Sequence, residues 1–285
     1  MPVSGGLGGH RALDDWVEEC RGKIKFWRAA PWRSLGFEAL FASRPGGFSP
    51  PPFEGLNLSY AVGDDPEAVH RNRAEIVQAL PGELPRRVRS VEQVHGTDVA
   101  TVESRSPRGA EVDWLDEGEA DAMMCPDGST VLATLHADCL PVYLIDPGQG
   151  TYALAHAGWR GLFSGVLEAA VEALRDAGSR PGELLAACGP AVDRDAYEVD
   201  APVLRALRAR GPWWRGVTYF SGSGRARLDL GAAARCILGE LGIPARSILR
   251  PAPGTASNPA DFFSHRRDGT TGRCAALLGR HRHRD

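Results

Sequence analysis

Five short β-prone runs between residues 88 and 157, several of them nearly continuous apolar, constrain the fold of this chain more than any other feature. They are RVRSVEQVH, TDVATVE, TVLATLHA, PVYLID and TYALAHA, and a turn signal separates each from the next. Short runs rich in β-branched residues between turn signals are typical of strands. Strands that lack a regular polar alternation are usually covered on both faces. These runs therefore predict sheets that are buried between other layers.

Helical patterns accompany the predicted strands. Asp65-Pro66 combines a capping residue with proline at the first helical position, and Pro81-Gly82 ends the apolar periodicity that follows. A second helix is predicted over Leu162–Ala177, with further helices near GAAARCILGELG and TGRCAALLG. Strands and helices in this order indicate an α/β (α+β) fold with mixed sheets.

The chain divides into three predicted segments. Residues 1–36 form an N-terminal extension with a short amphipathic helix around Leu13–Trp27, and residues 37–280 form a single catalytic domain. Residues 281–285 form a charged tail. No internal repeat is visible, and a core of useful size can be buried in a domain of this length.

Charge and hydrophobicity exclude several classes of partner. The formal net charge is −3, which gives no global electrostatic reason to bind nucleic acid or an anionic membrane. No apolar run reaches the roughly 20 residues that a membrane-spanning helix needs, and the first residues do not have the pattern of a signal peptide. Six scattered cysteines without a CxxC pair indicate a reducing compartment. We predict a cytoplasmic protein, monomeric or weakly dimeric.

Three residues at the ends of predicted strands form a candidate metal site. His95, Cys139 and His156 each precede a turn, and imidazole and thiolate groups are good ligands for zinc or copper. Three protein ligands leave a fourth position open, as in catalytic metal sites. Their separations of 44 and 17 residues match no local metal motif, so strand-end residues with ordinary hydrogen bonds are the competing interpretation.

Other polar residues lie near the candidate ligands in sequence. Arg160 precedes the predicted Leu162 helix, where a guanidinium and a helix N-terminus would attract an anion. Asp121 or Asp138 could orient a ligand histidine, and the competing interpretation of Asp138 is that it caps a turn. His136 lies three residues before Cys139 in a predicted strand, so its side chain is expected on the opposite face and we exclude it as a ligand. The templates GxxxxGK[ST], GxSxG and HExxH are absent from the sequence.

Several of these segments together resemble a known family. The segments are ADAMMCPDG, HADCLPVYLID, LAHAGWRGL, CGPAV with YEVD, FFSHRRDGTTGR, and the N-terminal RPGGFSPPPFEGLNLSYAVGDDPEAVHRNR. In this order they resemble the multicopper polyphenol oxidoreductase (laccase-like) family, now better described as bacterial purine nucleoside phosphorylases. The resemblance extends from about Phe37 to Leu278. It implies a four-layer α/β/β/α sandwich, similar to deamidase toxins that use a Cys–His pair.

The resemblance also implies an activity and a set of site residues. Members of the family are implied to cleave adenosine, inosine and methylthioadenosine with phosphate, and also to deaminate adenosine. The metal ligands and catalytic residues correspond to His95, Cys139 and His156, with Zn²⁺ as the cofactor and Cu²⁺ as an alternative. We predict that Arg160, aided by Arg44, binds phosphate. The predicted contacts to ribose or base are Asn57 and Gln93, and the departures from the family pattern are Cys125 and His265.

Three alternative functions stay open on the sequence. A copper-dependent polyphenol oxidase would use a His₂Cys set, although a multicopper enzyme needs more histidines than the eight in this chain allow. A Cys–His amidase or hydrolase would use Cys139 as the nucleophile, acting for example on cell-wall precursors. A zinc-binding module without enzymatic activity is the third alternative.

Overall fold

A computed structural model describes residues 15–103, 113–220, 225–249 and 252–282 of the chain. Within these residues, strands form a seven-stranded, a five-stranded and a three-stranded sheet. The seven-stranded sheet contains β1 (Trp16–Arg21), β2 (Ile24–Ala29), β3 (Phe37–Ala42), β4 (Arg87–Glu92), β6 (Asp113–Glu119), β8 (Val131–His136) and β15 (Cys274–Arg280). The five-stranded sheet contains β5 (Val99–Thr101), β7 (Ala122–Cys125), β9 (Leu140–Ile145), β10 (Tyr152–Ala157) and β11 (Leu185–Cys188). The small sheet contains β12 (Glu198–Val199), β13 (Thr218–Phe220) and β14 (Ala226–Leu228).

The described helices are α1 (Pro66–Ala79), α2 (Trp159–Ser164), α3 (Val166–Asp176), α4 (Ala201–Ala209), α5 (Trp214–Val217), α6 (Leu230–Glu240) and α7 (His265–Asp268). Of these seven described helices, α1 packs on the outer face of the seven-stranded sheet, and α2 to α6 contribute to the core on the outer face of the five-stranded sheet. Short 3₁₀ turns lie at Ala30–Leu35, Tyr60–Val62, Pro181–Glu183 and Ala245–Ser247. None of the helices in the described ranges has the length and apolarity to cross a membrane.

The large sheets face each other, and each carries helices on its other side. The strand order is β1-β2-β3-β15-β8-β4-β6 in one sheet and β11-β9-β10-β7-β5 in the other, and both contain parallel and antiparallel pairs. Alternate side chains of β3 lie on opposite faces of the sheet: Phe41 belongs to the core between the two large sheets, and Leu40 belongs to the core under α1. A third core joins the five-stranded sheet to α3 and α6. The predicted four-layer α/β/β/α sandwich with mixed sheets is confirmed.

The strands predicted between residues 88 and 157 are confirmed, as is the capped helix after Asp65. All six residues of β9 and of β10 are buried, as expected for strands covered on both faces. The Asp65 carboxylate accepts a hydrogen bond from the Glu67 amide, and Pro66 is the first residue of α1. The local capping signal was therefore sufficient to place this helix.

The predicted amphipathic helix around Leu13–Trp27 is wrong. Its described part forms the antiparallel hairpin of β1 and β2, with Gly22 in the left-handed region at φ 59°. Ile24 and Phe26 are buried with the two-residue period of a strand, because β2 pairs with β3. The pairing of β2 with β3 joins residues on both sides of residue 36, where the N-terminal extension was predicted to end. The position of that boundary stays a prediction.

Two further helix predictions are corrected. The apolar run near TGRCAALLG is β15, a central strand paired with β3 on one side and with β8 on the other. A short apolar run buried on both faces has no period that separates a strand from a helix. The predicted helix over Leu162–Ala177 begins earlier, at Trp159, and is divided by Gly165, whose φ of 115° interrupts it.

We expect Leu278→Ala to lower the free energy of unfolding by about 2–5 kcal/mol, because it leaves a cavity in the core between the sheets. The matched control is Leu115→Ala on the edge strand β6, where the side chain is 51% exposed and the expected change is within about 0.5 kcal/mol. Urea unfolding with unchanged m-values measures both. Equal losses in the two variants would contradict the central position of β15.

Candidate metal centre

His95, Cys139 and His156 converge at one end of the two large sheets. His95 follows β4, Cys139 lies in the turn that carries the chain from β8 to β9, and His156 lies near the end of β10. One ligand atom from each side chain lies within 4.8 Å of the others. The His95 Nε2–Cys139 Sγ distance is 3.9 Å, and the centroids of the two imidazole rings are 4.9 Å apart. The fold therefore brings together three residues that are far apart in sequence.

The backbone around these ligands is unusual. His95 has φ 62° and Asp138, beside Cys139, has φ 97°, and among the described residues these are the two non-glycine positions with positive φ. Side chains of L-residues seldom adopt this region, and such residues cluster at functional sites. A Cβ on Gly158 would lie 2.9 Å from His95 Cδ2 and 3.0 Å from Cys139 Sγ. Gly158 thus leaves the space that the ligand side chains occupy.

The Asp121 carboxylate orients two of the three ligands. Its Oδ1 lies 2.7 Å from Nδ1 of His156, so Nδ1–H donates this hydrogen bond and Nε2 is left for the site. Its Oδ2 accepts hydrogen bonds from the amides of Gly96 at 2.5 Å and Val94 at 3.2 Å, which fix the turn that carries His95. Burial alone would raise the pKa of Asp121, but the hydrogen bonds from His156 and Gly96 lower it. Asp121 is thus a buried anion that holds both histidines in place.

The thiol and the buried imidazole form a charge-separated pair. Burial would raise the pKa of Cys139, but the charge of His156 and hydrogen bonds from His156 and His95 lower it to about 6. Burial would lower the pKa of His156, but the Cys139 thiolate and the hydrogen bond to Asp121 raise it to about 9. A thiolate is the form of cysteine that binds metals and attacks electrophiles. Both chemistries are therefore available to Cys139.

His136 lies close to the ligands but both of its ring nitrogens have protein partners. Nδ1 donates to the Cys139 carbonyl at 2.9 Å, and Nε2 accepts from the Thr134 hydroxyl at 2.7 Å. The ring is buried, and burial lowers its pKa well below the ordinary histidine value. The expectation that its side chain lies on the opposite face is wrong, because its ring centroid is 5.4 Å from that of His156. Its two hydrogen bonds hold the ring against the Cys139 turn.

A cavity of about 190 Å³ lies against His95 and Cys139. Two arginine–aromatic pairs line it: Arg160 lies over the Trp159 ring at 4.6 Å, and Arg266 lies over the Tyr197 ring at 5.2 Å. A guanidinium stacked on a ring keeps its in-plane N–H groups available for an oxyanion. The remaining lining is mixed and consists of Ala137, Asp138, Gly158, Val192, Leu230 and His265.

Arg160 is positioned differently from the sequence prediction. It lies within the first turn of α2, which has only six residues, so its attraction for an anion depends on the guanidinium rather than on a helix dipole. Of the two candidate orienting carboxylates, Asp121 contacts a ligand histidine. Asp138 instead accepts hydrogen bonds from the Thr255 hydroxyl and the Arg266 amide.

The three predicted substrate-contact residues are not part of the cavity lining in the described residues. The Asn57 side chain is buried in hydrogen bonds with Ser59, Asp64 and the Arg273 amide. Gln93 makes paired hydrogen bonds with the backbone of Leu135, at 2.8 and 2.7 Å. Arg44 donates to the Glu54 carbonyl and lies over the Phe263 ring. Their assignment as substrate contacts stays a prediction, and these bonds give each a structural role.

Sequence reasoning did not select Trp159, Tyr197 and Arg266 as site residues. All three lie within the segments that carry the family resemblance, LAHAGWRGL, YEVD and FFSHRRDGTTGR. Those segments are separated along the chain, and only the fold places them around one cavity. Their position in shared motifs was the available signal, but it gave no information on which side chains meet.

The donor set and its surroundings fit a metal ion. Two imidazoles and one thiolate are ligands for zinc or copper, and a carboxylate that orients a ligand histidine is a regular companion of such sites. Asp121 supplies that carboxylate, and Gly158 leaves room for the ligands. His95, Cys139 and His156 could thus bind a metal ion.

We expect Asp121→Asn to weaken metal binding by about 10- to 100-fold, because the neutral amide no longer fixes His156 and the His95 turn as an anion. Competition with a coloured chelator measures the affinity directly. Asp146→Asn is a suitable control, since this buried carboxylate binds the amides of Gly148 and Gln149 away from the site. A metal affinity for Asp121→Asn within twofold of the original would contradict the orienting role.

The fold and site together define a class: a four-layer α/β/β/α protein with a His–Cys–His group that can bind a metal at the base of a cavity. The chain belongs to the multi-copper polyphenol oxidoreductase laccase family, whose model matches residues 38–281.

Relatives with similar sequences carry an enzymatic name. A purine nucleoside phosphorylase of Streptomyces coelicolor is 41% identical over 240 residues, which cover 84% of this chain and 93% of that protein. The purine nucleoside phosphorylase YlmD of Geobacillus stearothermophilus is 35% identical over 271 residues, covering 94% and 97% of the two chains.

Solved structures share the fold. The crystal structure of YlmD from Geobacillus stearothermophilus has a TM-score of 0.80 at 33% identity and covers 94% of this chain and 100% of its own. The crystal structure of the Bacillus licheniformis hypothetical protein YfiH has a TM-score of 0.83 at 28% identity, with 94% and 99% covered. The similarity therefore extends over nearly the whole chain.

Proposed function

We propose that this protein is a zinc-dependent purine nucleoside phosphorylase that converts adenosine, inosine or methylthioadenosine to the free base and ribose 1-phosphate (methylthioribose 1-phosphate from methylthioadenosine). The observation that carries the proposal is the His95–Cys139–His156 group beside a cavity with an accessible arginine, Arg160. The names of the relatives from Streptomyces coelicolor and Geobacillus stearothermophilus support the same substrate class.

The residues of the cavity suit the requirements of phosphorolysis. A phosphate oxygen attacks C1′ of the ribose, the C1′–N9 bond breaks, and its electron pair leaves with the purine. Arg160 is exposed at the cavity, where its guanidinium can hold the phosphate dianion and orient the attacking oxygen. Val192 and Leu230 cover part of the wall and limit access of water to C1′.

The metal would be held by His95, Cys139 and His156. When bound, zinc supplies Lewis acidity toward a substrate oxygen or a water molecule. The residues around it are arranged to keep that position stable, because Asp121 fixes His156 and the His95 turn while His136 fixes the Cys139 turn. Copper is the alternative metal for the same donor set.

The test is incubation of zinc-loaded protein with inosine, with and without phosphate, followed by chromatography of free base and ribose 1-phosphate. We expect base release that requires phosphate and that is lost in His95→Ala. Base release that is independent of phosphate, or unchanged in His95→Ala, would contradict the proposal. The same incubation with adenosine tests, through the appearance of inosine and ammonia, the deaminase activity that the family resemblance implies.

A Cys–His hydrolase is the second candidate, and a specific observation favours it. The Cys139 thiolate paired with the His156 imidazolium has the composition of an activated nucleophile and a proton donor for the leaving group, and it requires no metal. Metal-free protein that retains full turnover, and that forms a covalent adduct on Cys139 with an amide substrate, would select this candidate. An intense visible thiolate-to-copper absorption band with phenol oxidation would select the oxidase instead.

A further inference from the structure

Asp138 makes hydrogen bonds to distant segments that a residue serving only to form a turn would not need. It is 9% exposed, adopts φ 97°, and lies next to the metal-site residue Cys139. Its Oδ1 accepts from the Thr255 hydroxyl and its Oδ2 accepts from the Arg266 amide, both at 2.6 Å. Its own carbonyl accepts from the Val192 amide at 3.0 Å. One strained residue thus connects the Cys139 turn to three distant segments that line or support the cavity.

Arg266 is the cationic side chain that this connection places at the cavity. It is exposed, its guanidinium lies over the Tyr197 ring at 5.2 Å, and within the described ranges no residue forms a hydrogen bond or ion pair with that guanidinium. Arg160, over Trp159, has the same properties on another part of the lining. Two guanidinium groups with free N–H edges at one cavity have the composition of a site for a doubly charged oxyanion.

Tyr197 lines the same cavity as Arg160, Arg266 and Asp138. Burial raises the pKa of its hydroxyl, the negative charges of Cys139 and Asp138 raise it further, and the positive charges of Arg266 and Arg160 lower it. Both arginines, Asp138 and the metal-site thiolate are thus near enough to one ring for their charges to affect it. Both arginines line the same cavity as His95 and Cys139.

We propose that Arg266 is a second phosphate-binding residue and that Asp138 is the positioning residue that holds its backbone in place. This inference rests on the proposed phosphorylase function. Asp138 acts through Arg266, because its carboxylate binds the Arg266 backbone amide and not the guanidinium. Both carboxylate oxygens already accept hydrogen bonds from the protein.

Three variants of the zinc-loaded protein test the two roles. Arg266→Gln is expected to raise the KM for phosphate about 10- to 100-fold, the effect of one charged hydrogen-bonding group, while the KM for inosine changes less than twofold. Asp138→Asn is expected to raise the KM for phosphate by a smaller factor, again without an effect on the KM for inosine. The double variant is expected to match Arg266→Gln alone, because without the Arg266 guanidinium Asp138 has no phosphate-binding group left to position.

The control is Arg175→Gln, which removes an exposed arginine paired with Glu172 on α3, far from the cavity in the fold. Equal increases in the KM for phosphate and for inosine, loss of zinc in Asp138→Asn, or fully additive effects in the double variant would overturn the inference. If Asp138→Asn does not fold, Thr255→Val removes one of the two anchoring bonds and replaces it in the comparison.

A binding measurement distinguishes failure of the Arg266 assignment from failure of the proposed phosphorylase function. If wild-type protein releases no base from any nucleoside, titration calorimetry with inorganic phosphate compares wild type with Arg266→Gln. Weaker phosphate binding in Arg266→Gln would keep the anion site while the phosphorylase proposal fails. Equal binding would overturn the assignment of Arg266.

Discussion

Cys139→Ala is expected to abolish stoichiometric zinc binding and to lower phosphorolysis about 10³-fold. The variant removes the single thiolate of the His95–Cys139–His156 group and leaves two imidazoles, which hold a metal far less firmly. Lewis-acid stabilisation is worth several kcal/mol, and each 1.4 kcal/mol corresponds to about tenfold in rate. Metal analysis after desalting, together with the base-release assay, measures both effects.

The fold should survive this change, because the Cys139 side chain is only partly buried and its turn is held through backbone atoms by His136. Cys20→Ala is the matched control, since that cysteine is exposed on β1 and takes no part in the site. Cys139→Ala with full zinc occupancy and unchanged turnover would disprove the metal assignment. Loss of turnover with zinc retained would instead favour a nucleophilic cysteine.

Gly158→Ala is expected to lower turnover about 10²-fold and to weaken zinc binding. A methyl group here would lie 2.9 Å from His95 Cδ2 and 3.0 Å from Cys139 Sγ, so both ligand side chains would have to move. Displacement of reacting groups by about 1 Å is enough for a loss of this size. The backbone at Gly158 has φ −65° and ψ 160°, which alanine adopts without strain, so the effect is steric.

The control for this variant is Gly182→Ala in the 3₁₀ turn at Pro181–Glu183, where a Cβ would meet nothing within 4 Å. We expect it to retain zinc and activity. The unfolding free energy of Gly158→Ala should fall by about 1–3 kcal/mol, the ordinary effect of overpacking. Full zinc affinity and turnover in Gly158→Ala would show that the ligands do not occupy the positions described.

Local signals in the sequence were sufficient to predict a helix or strand where its own residues and its ends determine its conformation. Asp65-Pro66 placed the start of α1, and the apolar runs placed β8, β9 and β10, because caps and turns act over a few residues. The same reasoning failed for β15 and for the β1–β2 hairpin. Both are strands because of their neighbours: β15 is paired on both sides, and β2 pairs with β3. Pairing between distant segments overrides local preference.

In the candidate site, too, some features could be predicted from the sequence and others were decided by the tertiary structure. The residue types of His95, Cys139 and His156 made them candidate ligands in the sequence, and the family motifs around them favoured that interpretation. Only the tertiary structure decided that Asp121 contacts His156 while Asp138 binds the Arg266 amide, since along the chain either carboxylate was a candidate for orienting a histidine. The physical reason is that the partner of a buried carboxylate is set by the segments packed against it, and those segments lie 35 and 128 residues away.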